Sequence, residues 1–154
     1  MTDPELDALF ALAADVQRHA HVPYSNFRVG AAIQASDGRR FAGCNVENIA
    51  YPQGSCAETG AISAMVASGG SRAIRRIVIL GTGPAGPVAC APCGGCRQRI
   101  LEFATPDTEV WFGPDRAGLR PHRIDALLPG AFHSLTEGPA GDPAATLAPP
   151  SPGA

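Results

Sequence analysis

Three cysteines stand at every third position in "CAPCGGCRQ", residues 90–98, and another opens "CAETG" at position 56, two residues before a glutamate. Thiols so spaced can serve several chemistries. An iron–sulfur cluster wants four thiolates, yet Ile100 stands where the ferredoxin-type run Cys90-x-x-Cys93-x-x-Cys96 would place its fourth. A thioredoxin-like redox pair would be Cys93 and Cys96, with Gly94 and Gly95 between them at a helix start. A structural zinc knuckle needs four protein ligands.

Cys56 widens the choice. It begins one helical stretch as Cys93 begins another, and a helix N-terminus favours thiolate through its dipole and free N–H groups. Parallel strands between such helices bring both N-termini to the edge beyond the strands' carboxyl ends. Cys56 can then meet Cys93 and Cys96 across a long sequence gap. Three thiolates would leave one tetrahedral position of a zinc ion to water, the arrangement of catalytic sites. Glu58 lies at i+2 from Cys56, and such residues do not share a helix face. Both reach one place only if Cys56 sits at the cap. A carboxylate there can take and deliver protons. Its plainer reading is a favourable charge in the first helical turn.

The elements that must position these groups are legible in outline. Residues 3–19 read as a helix, with Asp3 as cap, Pro4 in the first turn, and Leu6, Leu9, Phe10, Ala13 and Val16 on one face. "FRVGAAIQA" and "RRFAGCNVE" flank "SDGR", whose Asp-Gly signals a hairpin. "CAETGAISAMVASGG" predicts an Ala-rich helix stopped by Gly69 and Gly70. "RRIVILG" predicts a buried central strand, "GCRQRILEFA" a helix and "EVWFG" a further strand. "RIDALLPGAF" predicts a short helical turn. Strands alternating with helices imply crossovers over a mostly parallel sheet, with the hairpin antiparallel. The expected fold is a three-layer α/β/α sandwich with a mixed sheet of about five strands. Residues 1–135 are read as the domain, and 136–154, a Pro/Gly/Ala-rich run, as a disordered tail.

Bulk properties narrow the function. A length of 154 residues with 45 % hydrophobic and 17 % charged residues suits one globular domain. A net charge of −2 with 6 % aromatics argues against a nucleic-acid binder. No apolar run approaches the roughly 18–20 residues of a membrane helix. "MTDPELDALF" lacks the cationic start of a signal peptide, so a reducing cytoplasm is expected, where thiols are ligands or nucleophiles rather than disulfides. Five cysteines is an odd number, which also argues against complete pairing. Cys44 reads as a small buried strand residue, Cys90 as a spare thiol, and Trp111 as core or interface. None of His19, His21, His122 and His133 is assigned to a metal.

At the thiols and Glu58 the sequence resembles the cytidine deaminase family. The zinc-deaminase signature, H-x-E then P-C-x-x-C with cysteine allowed for the histidine, reads here Cys56-Ala57-Glu58 and Pro92-Cys93-Gly94-Gly95-Cys96. "VPYSNFRVGAA" (22–32), "GCNVEN" (43–48), "CGGCRQ" (93–98) and "LLPGAF" (127–132) are similar to the small members acting on free nucleosides, so the resemblance spans about residues 5–133. It implies one catalytic Zn2+ per chain on Cys56, Cys93 and Cys96, with Glu58 as proton shuttle. It implies that Asn45 and Glu47 hold the ribose, that Phe27 packs on the nucleoside, and that the Ala57 backbone meets the base. Phe132 matches a residue that stacks on cytosine in a neighbouring subunit of a homotetramer with sites at subunit junctions. The implied reaction is hydrolytic deamination of cytidine and 2′-deoxycytidine in pyrimidine salvage, with no nucleic acid or membrane as partner.

One position departs from that pattern. Three-cysteine members commonly carry arginine after the C-A-E glutamate, where this chain has Thr59. Arg97 and the two helix N-termini are the expected sources of compensating charge. The alternatives are a blasticidin-type aminonucleoside deaminase, against which Glu47 speaks, and a non-enzymatic zinc or iron–sulfur protein. Metal analysis with an absorption spectrum separates the last. The purified protein is expected to be colourless with one zinc per chain; a brown, iron-containing sample would remove the zinc assignment.

Overall fold

The computed structural model describes residues 3–132. The tail at 136–154, the boundary at 135 and His133 lie outside the described residues. Helix α1 (Pro4–Gln17) starts as its sequence dictates: Pro4 occupies the first turn, and the Asp3 carboxylate accepts from the Leu6 N–H at 3.1 Å. Arg76 donates to Asp3 at 2.8 Å and to Glu109 at 2.6 Å, tying the start of α1 to the sheet beneath it. Strands β1 (Arg28–Ala35) and β2 (Arg40–Cys44) form the expected hairpin, with Gly38 at φ 86° in the turn. A 3₁₀ turn (Tyr51–Gln53) leads into α2 (Ala57–Ala67). Then come β3 (Ile74–Gly83), β4 (Gly86–Val88), α3 (Gly94–Glu102), β5 (Ala104–Phe112), β6 (Arg120–Arg123) and α4 (Ile124–Leu127).

The sheet order is β2-β1-β3-β5-β6, with β4 pairing β3. The mixed sheet is present, with six strands among the described residues: β4 lies within a loop full of turn residues and β6 within a turn-rich stretch. Both are too short to show a strand period in sequence. One expectation needs correction, since the sheet is not mostly parallel: among the described strands β3 and β5 pair that way and the other pairings are antiparallel. The physical reason is the hairpin. It inserts β1, running the opposite way, between β2 and β3, so β2 and β3 share a direction without being neighbours.

The alternating side chains of the sheet supply two cores. Ala31, Ile33, Ile77, Ile79 and Val110 face α2, α3 and α4, where Ala57, Ala61, Met65, Ile100 and Ile124 cover them. Ala32, Val78 and Leu80 face Leu6, Leu9 and Ala13 of α1. The three layers expected from sequence are therefore present, and α2 and α3 share a face. Helix α2 follows β2, and α3 follows β4, the three-residue return strand on the carboxyl end of β3; because β2 and β3 share a direction, both helix N-termini lie at the same end of the sheet. Among the described residues, no helix is long and apolar enough to cross a membrane.

How closely α2 lies on the sheet is fixed at Gly43. A Cβ on Gly43 would stand 2.4 Å from the Ala61 nitrogen and 2.5 Å from the Ala57 carbonyl oxygen. These are main-chain atoms of the helix that carries Glu58, so they cannot yield without moving it. Gly43→Ala is expected to lower stability by about 1–3 kcal/mol through overpacking, read as a lower urea midpoint. An unchanged midpoint would mean that α2 is not held by this contact.

Candidate functional site

Each of the two helices that converge on the sheet end begins with a thiol. Cys56 is the N-cap of α2 (φ −74°, ψ 154°) and Cys93 the N-cap of α3 (φ −65°, ψ 164°). Neither side chain caps its own helix by a hydrogen bond, unlike Asp3 on α1. The extended ψ turns each thiol forward, away from the helix, and their Sγ atoms lie 3.9 Å apart. Cys96, in the first turn of α3 and fully buried, completes a set whose Sγ atoms all fall within 4.8 Å of one another.

Charge explains what this set requires. Burial above all, and then the neighbouring Cys93 and Glu58, push the Cys56 thiol up. Burial pushes Cys96 up as well, followed by the charges of Glu58 and Cys56. Burial also opposes ionisation of Cys93, but the Cys96 N–H and the two neighbouring thiols outweigh it and hold Cys93 below its ordinary value. The three cannot all ionise in mutual repulsion without a cation among them. Tetrahedral zinc with Zn–S bonds of about 2.3 Å sets thiolates roughly 3.8 Å apart, close to the observed 3.9 Å. The donor set and its spacing therefore fit zinc, with three protein ligands and room for a fourth.

Glu58 is only 4 % exposed, and burial raises its carboxyl above the usual range. It lines a cavity of about 590 Å³ together with Cys56, Ala57, Cys93, Asn45 and Glu47. Cap geometry lets Cys56 and Glu58, two residues apart, reach the same space. Thr59 adds no charge. Arg97 does not take that part either: its Nε donates to the Pro92 carbonyl and its Nη1 to the Leu127 carbonyl, both at 2.8 Å. It clamps the turn before Cys93 to the end of α4. The helix N-termini remain as sources of positive potential, and Arg99 on α3 is the cation that acts on Glu58.

Asn45 and Glu47 lie on a segment clamped from both sides. His21 N–H donates to the Asn45 carbonyl and Glu47 N–H to the His21 carbonyl, while Val46 and Ser55 exchange both main-chain bonds. The Asn45 amide donates to the Phe27 carbonyl at 2.9 Å and accepts from Val29 N–H at 2.7 Å, imitating a strand. Glu47 accepts from the N–H groups of Tyr24 (2.9 Å) and Ser25 (3.2 Å) and from the Ser25 hydroxyl. The hydroxyl first, then the two N–H groups, hold its carboxyl below the ordinary value. Ser25 was not singled out in the sequence; the turn formers of "PYSN" next to the N-V-E run were the available signal.

Phe27 and Phe132 do not join these residues within one chain. The Phe27 ring packs against Gly81 and Gly83 of β3 and is not among the cavity's lining residues. Phe132 is 66 % exposed, its carbonyl accepting from the Gln98 amide at 2.8 Å. Cys90, read as a spare thiol, lines the cavity and is half-buried, with burial raising its thiol to about 11. It stays outside the compact thiol set. Tyr24 and Tyr51, in edge-to-face contact at 6.1 Å, stand at the same cavity with much of their surface exposed.

Comparison with known proteins extends these observations. Residues 4–112 match the family model of the cytidine and deoxycytidylate deaminase zinc-binding region. A cytidine deaminase of Sporosarcina psychrophila is 38 % identical over 128 residues, covering 83 % of this chain and 91 % of the relative. One from Mycobacterium tuberculosis (strain ATCC 25618 / H37Rv) is 38 % identical over 132 residues, covering 86 % and 92 %. The crystal structure of cytidine deaminase from Burkholderia pseudomallei superposes with a TM-score of 0.74 at 38 % identity, over 86 % of this chain and 100 % of that one. That of the Mycobacterium tuberculosis protein gives 0.72 at 35 % identity, with the same coverage.

Proposed function

The chain belongs to the cytidine and deoxycytidylate deaminase family, and on that premise we propose that it hydrolyses cytidine and 2′-deoxycytidine to the uridines with release of ammonia. The observation that carries this reading is the meeting of Cys56, Cys93 and Cys96 within 4.8 Å beside a cavity that Glu58 also lines. In this reading the three cysteines hold one zinc ion. Bound zinc would supply a Lewis acid that makes water nucleophilic near neutral pH. Glu58 takes a proton from the incoming water and gives it to ring N3, which makes C4 electrophilic, and the hydroxide so formed adds to C4. Glu58 then takes the remaining hydroxyl proton and carries it to the amine; as C4=O forms, the C4–N bond breaks and ammonia leaves. A carboxylate serving both steps needs shielding from bulk water, and its burial supports the role. The Ala57 backbone, at the start of α2, meets the base.

Also on the lining of the cavity, Asn45 and Glu47 receive the ribose. Glu47 keeps its charge and accepts hydroxyl protons, while Asn45 fixes the wall by its bonds to β1. Among the described residues, no lysine or arginine lines the cavity. A 5′-phosphate would find no cation there and would face Glu47, which supports a nucleoside over a nucleotide. Phe27 would act from behind the wall, as packing for β3. Residues 1–135 form the catalytic domain in this reading, supported by the family match over 4–112. A reducing, cytoplasmic setting suits its free thiols, and salvage of pyrimidine nucleosides is the corresponding role.

The assembly we infer is a homotetramer with sites at subunit junctions. Ile49, Tyr51 and Phe132 support it, each large, apolar and mostly exposed in the single chain. Sedimentation is expected to give four chains per particle; full activity in a monomer would remove this part of the reading. The function itself is tested with Glu58→Ala. The variant is expected to keep its zinc and to lose at least about 100-fold in cytidine turnover, the scale of general acid–base catalysis. Near-full turnover with zinc retained would overturn the shuttle.

A further inference from the structure

At its thiol end the cavity is lined by the start of α2, with Ala57 and Glu58, and by Cys90, Ala91 and Cys93. In a cytosine ring the reacting C4 has N3 on one side and C5 on the other. Given the deaminase reading, C4 lies before the Cys56–Cys93 pair and N3 faces Glu58 on α2. C5 then points away from Glu58; Cys90 and Ala91, both with small side chains, are among the other residues that line this cavity.

Cys90 cannot give way in the other direction. A Cβ on Gly81 of β3 would stand 2.5 Å from the Cys90 Cβ, 3.0 Å from its Sγ and 3.2 Å from the Phe27 ring. The Cys90 side chain therefore packs against the main chain of β3 where position 81 carries no side chain, and β3 leaves no room on that side. Volume added at position 90 is expected to go into the cavity that Cys90 lines. We propose that Cys90 is a specificity-determining residue whose small side chain sets which 5-substituted cytidines the site admits. The inference rests on the deaminase reading for the orientation of the base and goes beyond it in naming the residue that limits C5.

The test uses zinc-loaded wild type, Cys90→Ala, Cys90→Val and Cys90→Leu, with cytidine, 5-methylcytidine and 5-bromocytidine as substrates. The quantity read is kcat/KM for each 5-substituted substrate relative to cytidine on the same protein. Cys90→Leu is expected to lower this ratio at least about 10-fold, the scale of one methylene in an apolar pocket. Valine is expected to lower it less, and alanine to hold or raise it. Should the leucine variant not fold, valine against alanine carries the same comparison. A ratio that stays constant along the series overturns the proposal. Dissociation constants of the same nucleosides by calorimetry keep the two readings apart. A protein that binds cytidine without deaminating it sinks the deaminase reading, while the ratio of constants along the series still decides on Cys90. A protein that binds none of these nucleosides overturns both.

Discussion

Three thiols held within 4.8 Å of one another, with Cys96 buried and Cys93 open to the cavity, repel one another once ionised unless a cation joins them. Most of what the fold does near this point serves that constraint. The two helices that bring the thiols together give up ordinary polar caps, and a thiol takes the N-cap in each. The orphan N–H groups of both first turns then point toward the same anionic centre. Compensation that a single arginine could supply falls to the two helix ends, while Arg99 acts on Glu58 and Arg97 bonds the backbone around the centre instead.

Converging helix ends need a sheet that sets them at the right height. The hairpin achieves this indirectly: by placing β1 between β2 and β3, it separates two strands of one direction, from whose ends the chain rises into α2 and α3. Gly43 then lets the α2 backbone settle on β2 at a distance that no other residue permits. Glu58 is buried because of that settling, and its raised pKa follows from the burial. Stability and chemistry thus share one contact.

The other end of the cavity depends on hydrogen bonds rather than packing. Asn45 stands in for main chain between Phe27 and Val29, and Glu47 is gripped by the turn after α1. Each is anchored by several partners, so the segment that would meet a sugar is set before any ligand arrives. Apolar rings are left exposed around this end, and Phe132 faces outward.

Much of this was written locally. Asp3 before Pro4, the Asp-Gly turn and the β-branched run of β3 each act through their immediate neighbours, so their elements could be read from short windows. The types of the chemical groups could be read too, because cysteine at a helix start and a glutamate two residues on have few uses together. Other features could not. The strands β4 and β6 are too short to carry a period of their own and exist by pairing back on the strand just before each, β4 on β3 and β6 on β5. The parallel pairing is confined to β3 and β5 because of where the hairpin inserts, a matter of topology rather than propensity. Cys90 reads as a spare thiol from its loop, and Phe27 is placed at the nucleoside by resemblance alone; that both pack beside Gly81 of β3 is visible only in the fold. Residue identity thus determined what chemistry the chain can perform. Which groups share a space, and how tightly, was decided only when strands and helices packed, because burial and repulsion depend on neighbours distant in sequence.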